Sequence, residues 1–133
     1  MNEEEEFLRD LMETFRQEAE EHIRVLSGAI VDLETASGPQ AAAAPIETLY
    51  RQLHSLKGAA AAVGMPVIVS VCQETESVLA ALKRGDLGLT SSVVDALSES
   101  VDCLNGCLMS DGTQATDEAT SALLTKLGAL VDT

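Results

Sequence analysis

Apolar residues recur every three or four positions along almost the whole chain, and no stretch alternates with a period of two. Leu8, Met12, Phe15, Ala19, Ile23, Leu26, Ile30 and Leu33 form the first such stripe. One face of a helix repeats with that spacing, whereas a half-buried strand repeats every second residue. The spacing predicts a first helix from about Glu3 to Ala36. Gly38 and Pro39, within "SGPQAAAAP", are stop signals.

Four more segments follow the same rule. Ile46, Leu49, Leu53, Leu56, Ala60 and Val63 predict a helix over 45–63, with Pro45 suited to its first turn. Gly64-Met65-Pro66 is a tight break. A third helix over 66–84 carries Ile68, Val71, Cys72, Thr75, Val78, Leu79 and Leu82, and Lys83-Arg84-Gly85 closes it. Thr90 or Ser91 caps a fourth over 91–109, with Val93, Val94, Leu97, Val101, Leu104 and Leu108 inward. After "SDGTQ" a fifth, over 115–131, buries Ala119, Leu123, Leu127 and Leu130.

Five amphipathic helices with short loops predict an all-α fold. The expected form is an antiparallel up-down four-helix bundle with a fifth C-terminal helix packed alongside, as one domain over residues 1–133. Aromatics make up only 2% of the chain, so the core must be Leu, Val, Ile and Ala, which suits close helix packing over a β-sandwich.

The charge excludes whole classes of partner. Eight basic residues against twenty-two acidic ones give a net charge of −14. Nucleic acid and anionic membrane surfaces are bound through Lys and Arg, so neither is an expected partner. No apolar run reaches a bilayer's span. The start, "MNEEEE", is the reverse of a signal peptide, so a cytoplasmic location is expected. The three cysteines, Cys72, Cys103 and Cys107, form no CxxC pair and read as reduced packing residues.

The stretch "LYRQLHSLKGAAAAVGMP" (Leu49 to Pro66) sets a histidine beside a glycine within a helix, where glycine costs about 1 kcal/mol relative to alanine. At about 100° per residue, His54 falls roughly 140° from the centre of the apolar stripe, with Gly58 nearly opposite that stripe. His54 is therefore expected at the surface, bordered by Tyr50, Lys57, Gly58 and Ala61. Folding the second and third helices into a hairpin about Met65 makes His54 and Glu76 equidistant from the turn, hence at one height. Gln73 falls level with Lys57 in the same way. A carboxylate at that place accepts the Nδ1 proton of the imidazole, fixes its tautomer and leaves Nε2 as an exposed nucleophile. Lys57 is the cation for incoming phosphoryl oxygens, and Gly58 lowers the surface so that another protein can close over the ring. The constellation suits phosphoryl transfer to histidine.

At "HSLKGAAAAVG" (His54 to Gly64) the sequence resembles histidine-containing phosphotransfer (HPt) domains, whose signature is a His-x-x-Lys-Gly helix. The likeness is greatest to the N-terminal phosphotransfer domains of chemotaxis histidine kinases of the CheA type. It extends through "FRQEAEEHIRVLSGAIVDLE", "RQLHSLKGAAAAVG" and "ETESVLAALKRGDLGL". The resemblance implies that His54 is the phosphorylated residue, Glu76 its hydrogen-bond partner, Lys57 the electrostatic helper and Gly58 the clearance residue. It also implies two partners: a kinase catalytic domain that loads His54 from ATP, and a response-regulator receiver domain whose aspartate removes the group. Tyr50, Gly58, Ala61 and Gln73 are the expected docking residues. Two positions depart from the family pattern. Ala59 stands where many relatives have a second small polar residue or glycine. Gln73 stands where several chemotaxis kinases have a histidine.

Other readings fit less well. His22, with no Lys-Gly following, is an ordinary surface histidine. A di-iron bundle needs Glu-x-x-His pairs, yet Ala19 precedes His22 and Arg51 precedes His54 at that spacing, so no metal site is expected. There is no Gly-rich phosphate loop, so no cofactor is expected and the chain alone should not use ATP. The rival is a non-catalytic helical adaptor, in which His54 would be buried or unpaired. The domain is expected to be monomeric in isolation, and the likeness to chemotaxis kinases favours a piece of a larger kinase over a stand-alone relay protein.

Overall fold

The computed structural model describes residues 2–110 and 118–132. Among them are five helices and no strand: α1 (Glu3–Glu34), α2 (Pro39–Ala62), α3 (Pro66–Arg84), α4 (Ser91–Met109) and α5 (Glu118–Val131). Each of α1 to α4 packs on its neighbours in sequence and α4 closes back on α1, which makes the four-helix bundle; α5 lies against α3 and α4. The expected start of α5 at Ala115 lies outside the described residues.

Local chemistry sets the ends. Asn2 caps α1, its Oδ1 accepting from the Glu5 N–H at 2.8 Å, and four glutamates in the first turn face the positive end of the helix dipole. Thr90 caps α4 by accepting from the Val93 N–H at 3.2 Å. α3 ends on Gly85, whose φ of +82° is the left-handed conformation of a helix C-cap. The α2–α3 turn needs the same freedom at Gly64, with φ of +73°.

The second helix begins at Pro39, not at Pro45 as the sequence suggested. Pro39 takes the first-turn position, and the alanine run that follows is the best helix former available. Pro45 therefore sits inside the helix, where a missing N–H normally costs about 3 kcal/mol. Its ring is buried, as is Ala42 one turn earlier, so packing offsets that loss.

Leu26, Leu49, Leu53, Leu56, Ile68, Leu79, Leu97 and Leu104 are fully buried and fill the bundle's centre. Each contributes about 1.5–3 kcal/mol of hydrophobic free energy. The first stripe does not bury along its whole length: Phe7, Leu8 and Leu11 are exposed, and burial begins at Phe15. Length is the reason. At 32 residues α1 is about 48 Å long, whereas α2 at 24 and α4 at 19 reach about 36 and 28 Å, so its first turns overrun their partners. In α5 the buried face is Thr120, Leu123 and Leu127; Ala119, expected inside, is exposed and Leu130 is half-buried. Leu123 and Leu127 face inward as expected, and at the N-terminal end Thr120 takes the place of Ala119, its Oγ1 3.6 Å from Cys103 Sγ.

The three cysteines are free. Burial, joined by the charge of Glu76, pushes the Cys72 thiol up to about 12. At pH 8 only about one in ten thousand of these groups is then a thiolate. A thiol reagent should therefore modify the half-buried Cys103 first in the native chain, with Cys72 reacting only after unfolding in denaturant. Native modification of Cys72 at the rate of Cys103, read by peptide mass mapping, would contradict this packing.

Candidate functional site

The α2–α3 hairpin carries the chemistry. His54 stands in the C-terminal half of α2 with 68% of its side chain exposed, while Glu76, opposite it on α3, has 6% exposed. The two meet at 3.3 Å between His54 Nδ1 and Glu76 Oε1. That is ion-pair distance, yet the angle falls outside hydrogen-bond geometry, so Oε1 is a buried oxygen with no hydrogen bond among the described residues. The χ2 angle of histidine is soft, and a small rotation of the ring aligns the pair.

A buried carboxylate is costly unless paired. Lys57 supplies the charge: its Nζ donates to Glu76 Oε2 at 2.7 Å and to Gln73 Oε1 at 3.1 Å. Its side chain is only 21% exposed, so this is a sheltered contact. One Glu76 oxygen thus faces the ring and the other faces the ammonium. Among the described residues no cluster of three His, Cys, Asp or Glu could hold a metal ion.

Around the ring the surface is low. Gly58 and Ala61 are exposed on the same helix, and a Cβ built on Gly58 would meet nothing within 4 Å. The glycine is therefore not required by packing inside the chain. Tyr50, one turn before His54, is half-buried, and Lys83 Nζ stands 4.6 Å from the centre of its ring. Lys83 also pairs with Glu47 Oε2 at 2.6 Å.

The hairpin thus brings His54, Glu76, Lys57 and Gln73 together, with Tyr50 and Gly58 on the flanks of the same helix. Sequence reasoning missed the Glu47–Lys83–Tyr50 cluster, although Glu47 and Lys83 are also equidistant from Met65 and the same symmetry would have found them. It also misread His22, which is half-buried rather than an ordinary surface residue. Its Nδ1 lies 2.6 Å from Gln52 Oε1 and ties α1 to α2.

Replacing Glu76 with Ala should change the balance of the two neutral His54 tautomers seen in nitrogen-15 NMR, because the acceptor facing Nδ1 is lost. Identical populations in both proteins would show that the carboxylate does not orient the ring.

Comparison with known proteins fits this hairpin. The family described as "Hpt domain" matches residues 10–107. A chemotaxis protein CheA from Halobacterium salinarum is 32% identical over 109 residues, which cover 82% of this chain and 16% of that protein. One from Bacillus subtilis is 26% identical over 103 residues, covering 77% and 15%. The chain thus spans about a sixth of the length of the curated relatives it matches. Among solved structures, the phosphorylated P1 domain of CheA3 from R. sphaeroides, in complex with CheY6, has the same fold. Its TM-score is 0.81 at 17% identity, over 92% of this chain and 95% of that one.

Proposed function

The chain belongs to the Hpt domain family, and from that premise we propose that His54 accepts a phosphoryl group and passes it on. The observation that carries this reading is an exposed imidazole whose Nδ1 faces a buried carboxylate, on a helix face cleared by Gly58. A small turn of the ring would let the carboxylate accept the Nδ1 proton, which leaves the Nε2 lone pair toward solvent as the nucleophile. Glu76 then stabilises the positive charge that appears on the ring when Nε2 bonds to phosphorus.

The donor is the ATP-binding domain of a histidine kinase, and the acceptor is an aspartate of a response-regulator receiver domain in a chemotaxis-type relay. The CheA relatives and the CheY6-bound P1 domain support this pair of partners. Little of the catalysis needs to reside in this chain, since phosphoryl transfer depends on positioning and charge stabilisation that the partner brings. Tyr50, Gly58, Ala61 and Gln73 form the rim that each partner would cover. A monomer in the cytoplasm fits these roles, and among the described residues no helix is long and apolar enough to cross a membrane. An inert adaptor would need a buried or unpartnered ring, and 68% exposure beside Glu76 speaks against it.

Two experiments test the proposal. With a cognate kinase domain and labelled ATP, the chain should take up an acid-labile label and a His54→Gln variant should take up none. Equal labelling of both, or a label stable to acid, would sink it. Gly58→Ala should separate folding from docking. It should raise stability by about 0.5–1 kcal/mol in a urea titration, because alanine suits a helix better and the added methyl meets nothing. Transfer to a receiver domain should slow in the same variant. An unchanged transfer rate would show that the glycine gives no clearance.

A further inference from the structure

Resting on the reading of His54 as phosphoacceptor, we propose that Arg51 is the residue of this chain that binds the phosphoryl group carried on His54 Nε2. In a chain with only eight basic residues, α2 holds two, Arg51 and Lys57, placed three before and three after the histidine. Residues three apart are about 60° from each other around the helix axis, so the two cations lie on opposite flanks of His54.

Lys57, expected from the sequence to meet the phosphoryl oxygens, is already engaged on α3. Its ammonium is held by Glu76 and Gln73, both on α3, at 2.7 and 3.1 Å. His54 Nδ1 faces the same carboxylate. The two nitrogens of an imidazole point away from each other across Cε1, so Nε2 and whatever it carries are directed away from α3. At 100° per residue, Arg51 springs from that flank of α2. Helical side chains also lean toward the helix N-terminus, which lays the ring of His54 over the turn that contains Arg51.

Arg51 is available for such a contact. It is exposed and makes no hydrogen bond or ion pair with a described residue. Its acidic neighbour one turn back, Glu47, is bonded by Lys83 at 2.6 Å, and Arg51 adds only a weaker long-range attraction to it. A guanidinium offers two parallel N–H groups to two phosphoryl oxygens, which suits a planar, bidentate contact.

The Nε2 lone pair attacks phosphorus and forms an N–P bond. The bond from phosphorus to the donor's leaving group breaks, and that group departs with the electron pair. Nδ1 keeps its proton, so the ring becomes a phosphoimidazolium facing Glu76 while the anionic oxygens face Arg51. In the return step the N–P electron pair goes back to Nε2, and the acceptor carboxylate takes the phosphoryl group.

The test uses phosphoramidate, a small donor that needs no protein partner and whose leaving group is ammonia. Wild type, Arg51→Gln and Arg51→Lys are compared at a fixed donor concentration, with phosphohistidine read by phosphorus-31 NMR and helix content by circular dichroism. Arg51→Gln should react about tenfold more slowly, less than the hundredfold typical of an enclosed oxyanion donor because the site is open to water. Arg51→Lys should fall between, and raised salt should narrow the gap. Wild-type rates in Arg51→Gln would overturn the proposal, even if its reaction with a kinase were impaired, because the residue would then serve docking alone. A wild-type chain that takes no phosphoryl group would overturn the phosphoacceptor reading itself.

Discussion

A carboxylate buried between two helices needs a cation, and that need organises the site. Glu76 lies almost out of reach of water on α3, where an unpaired charge would cost several kcal/mol. Lys57 reaches it from α2 at 2.7 Å, and Gln73 holds the same ammonium at 3.1 Å. The lysine is thereby fixed against α3, the second carboxylate oxygen is left facing His54, and the ring acquires a preferred orientation. The meeting of α2 and α3 at this point and the placement of the ring against Glu76 follow from one electrostatic requirement. The supporting shell is packed and the reactive ring is exposed, the arrangement a partner-dependent reaction calls for.

Much of this could be read from the sequence because a tight antiparallel hairpin is nearly symmetric. Both helices rise equally per residue, so positions equidistant from Met65 come level. His54 with Glu76, Lys57 with Gln73, and Glu47 with Lys83 all obey that rule. What escaped depended on quantities the sequence does not print. The start of α2 turned on whether four alanines and a buried proline ring outweigh proline's lost hydrogen bond. The exposed Phe7, Leu8 and Leu11 reflect the length of α1 relative to its partners, not their own hydropathy. Thr120 replaces Ala119 on the buried face because α5 takes its orientation from α3 and α4. The contact between His22 and Gln52 is symmetric about Ser37, but that centre becomes visible only once α2 is known to begin at Pro39.

Charge has a geography here that the net value hides. The chain carries fourteen more negative than positive charges, yet both cations of α2 lie within one turn of the histidine. Lys83, on α3, stands over Tyr50 and beside Glu47 on the same hairpin. Two of these three cations are matched by carboxylates, Lys57 by Glu76 and Lys83 by Glu47. The three cations also differ in duty. Lys83 pairs at the surface, where such contacts contribute little to stability. Lys57 compensates a buried charge. Arg51 makes no hydrogen bond or close ion pair with a described residue and acts only at longer range on Glu47.

That division bears on why a histidine should be chosen as a carrier at all. A phosphoryl relay needs an intermediate that forms and breaks with comparable ease. If Nδ1 lost its proton on loading, the ring would have to leave as an anion in the return step, and the group would be stranded. On the proposed reading Glu76 would prevent this by favouring the proton on Nδ1, so that the leaving group is a neutral imidazole. If instead the oxygens of the phosphoryl group were held in a dry, fully paired pocket, the loaded state would be too stable to pass on. An exposed guanidinium in water stabilises them only modestly, and the ring stays open to a receiver's active site. In the proposed relay the buried carboxylate and the solvated arginine would act on opposite ends of one N–P bond, and their unequal burial would favour its reversibility.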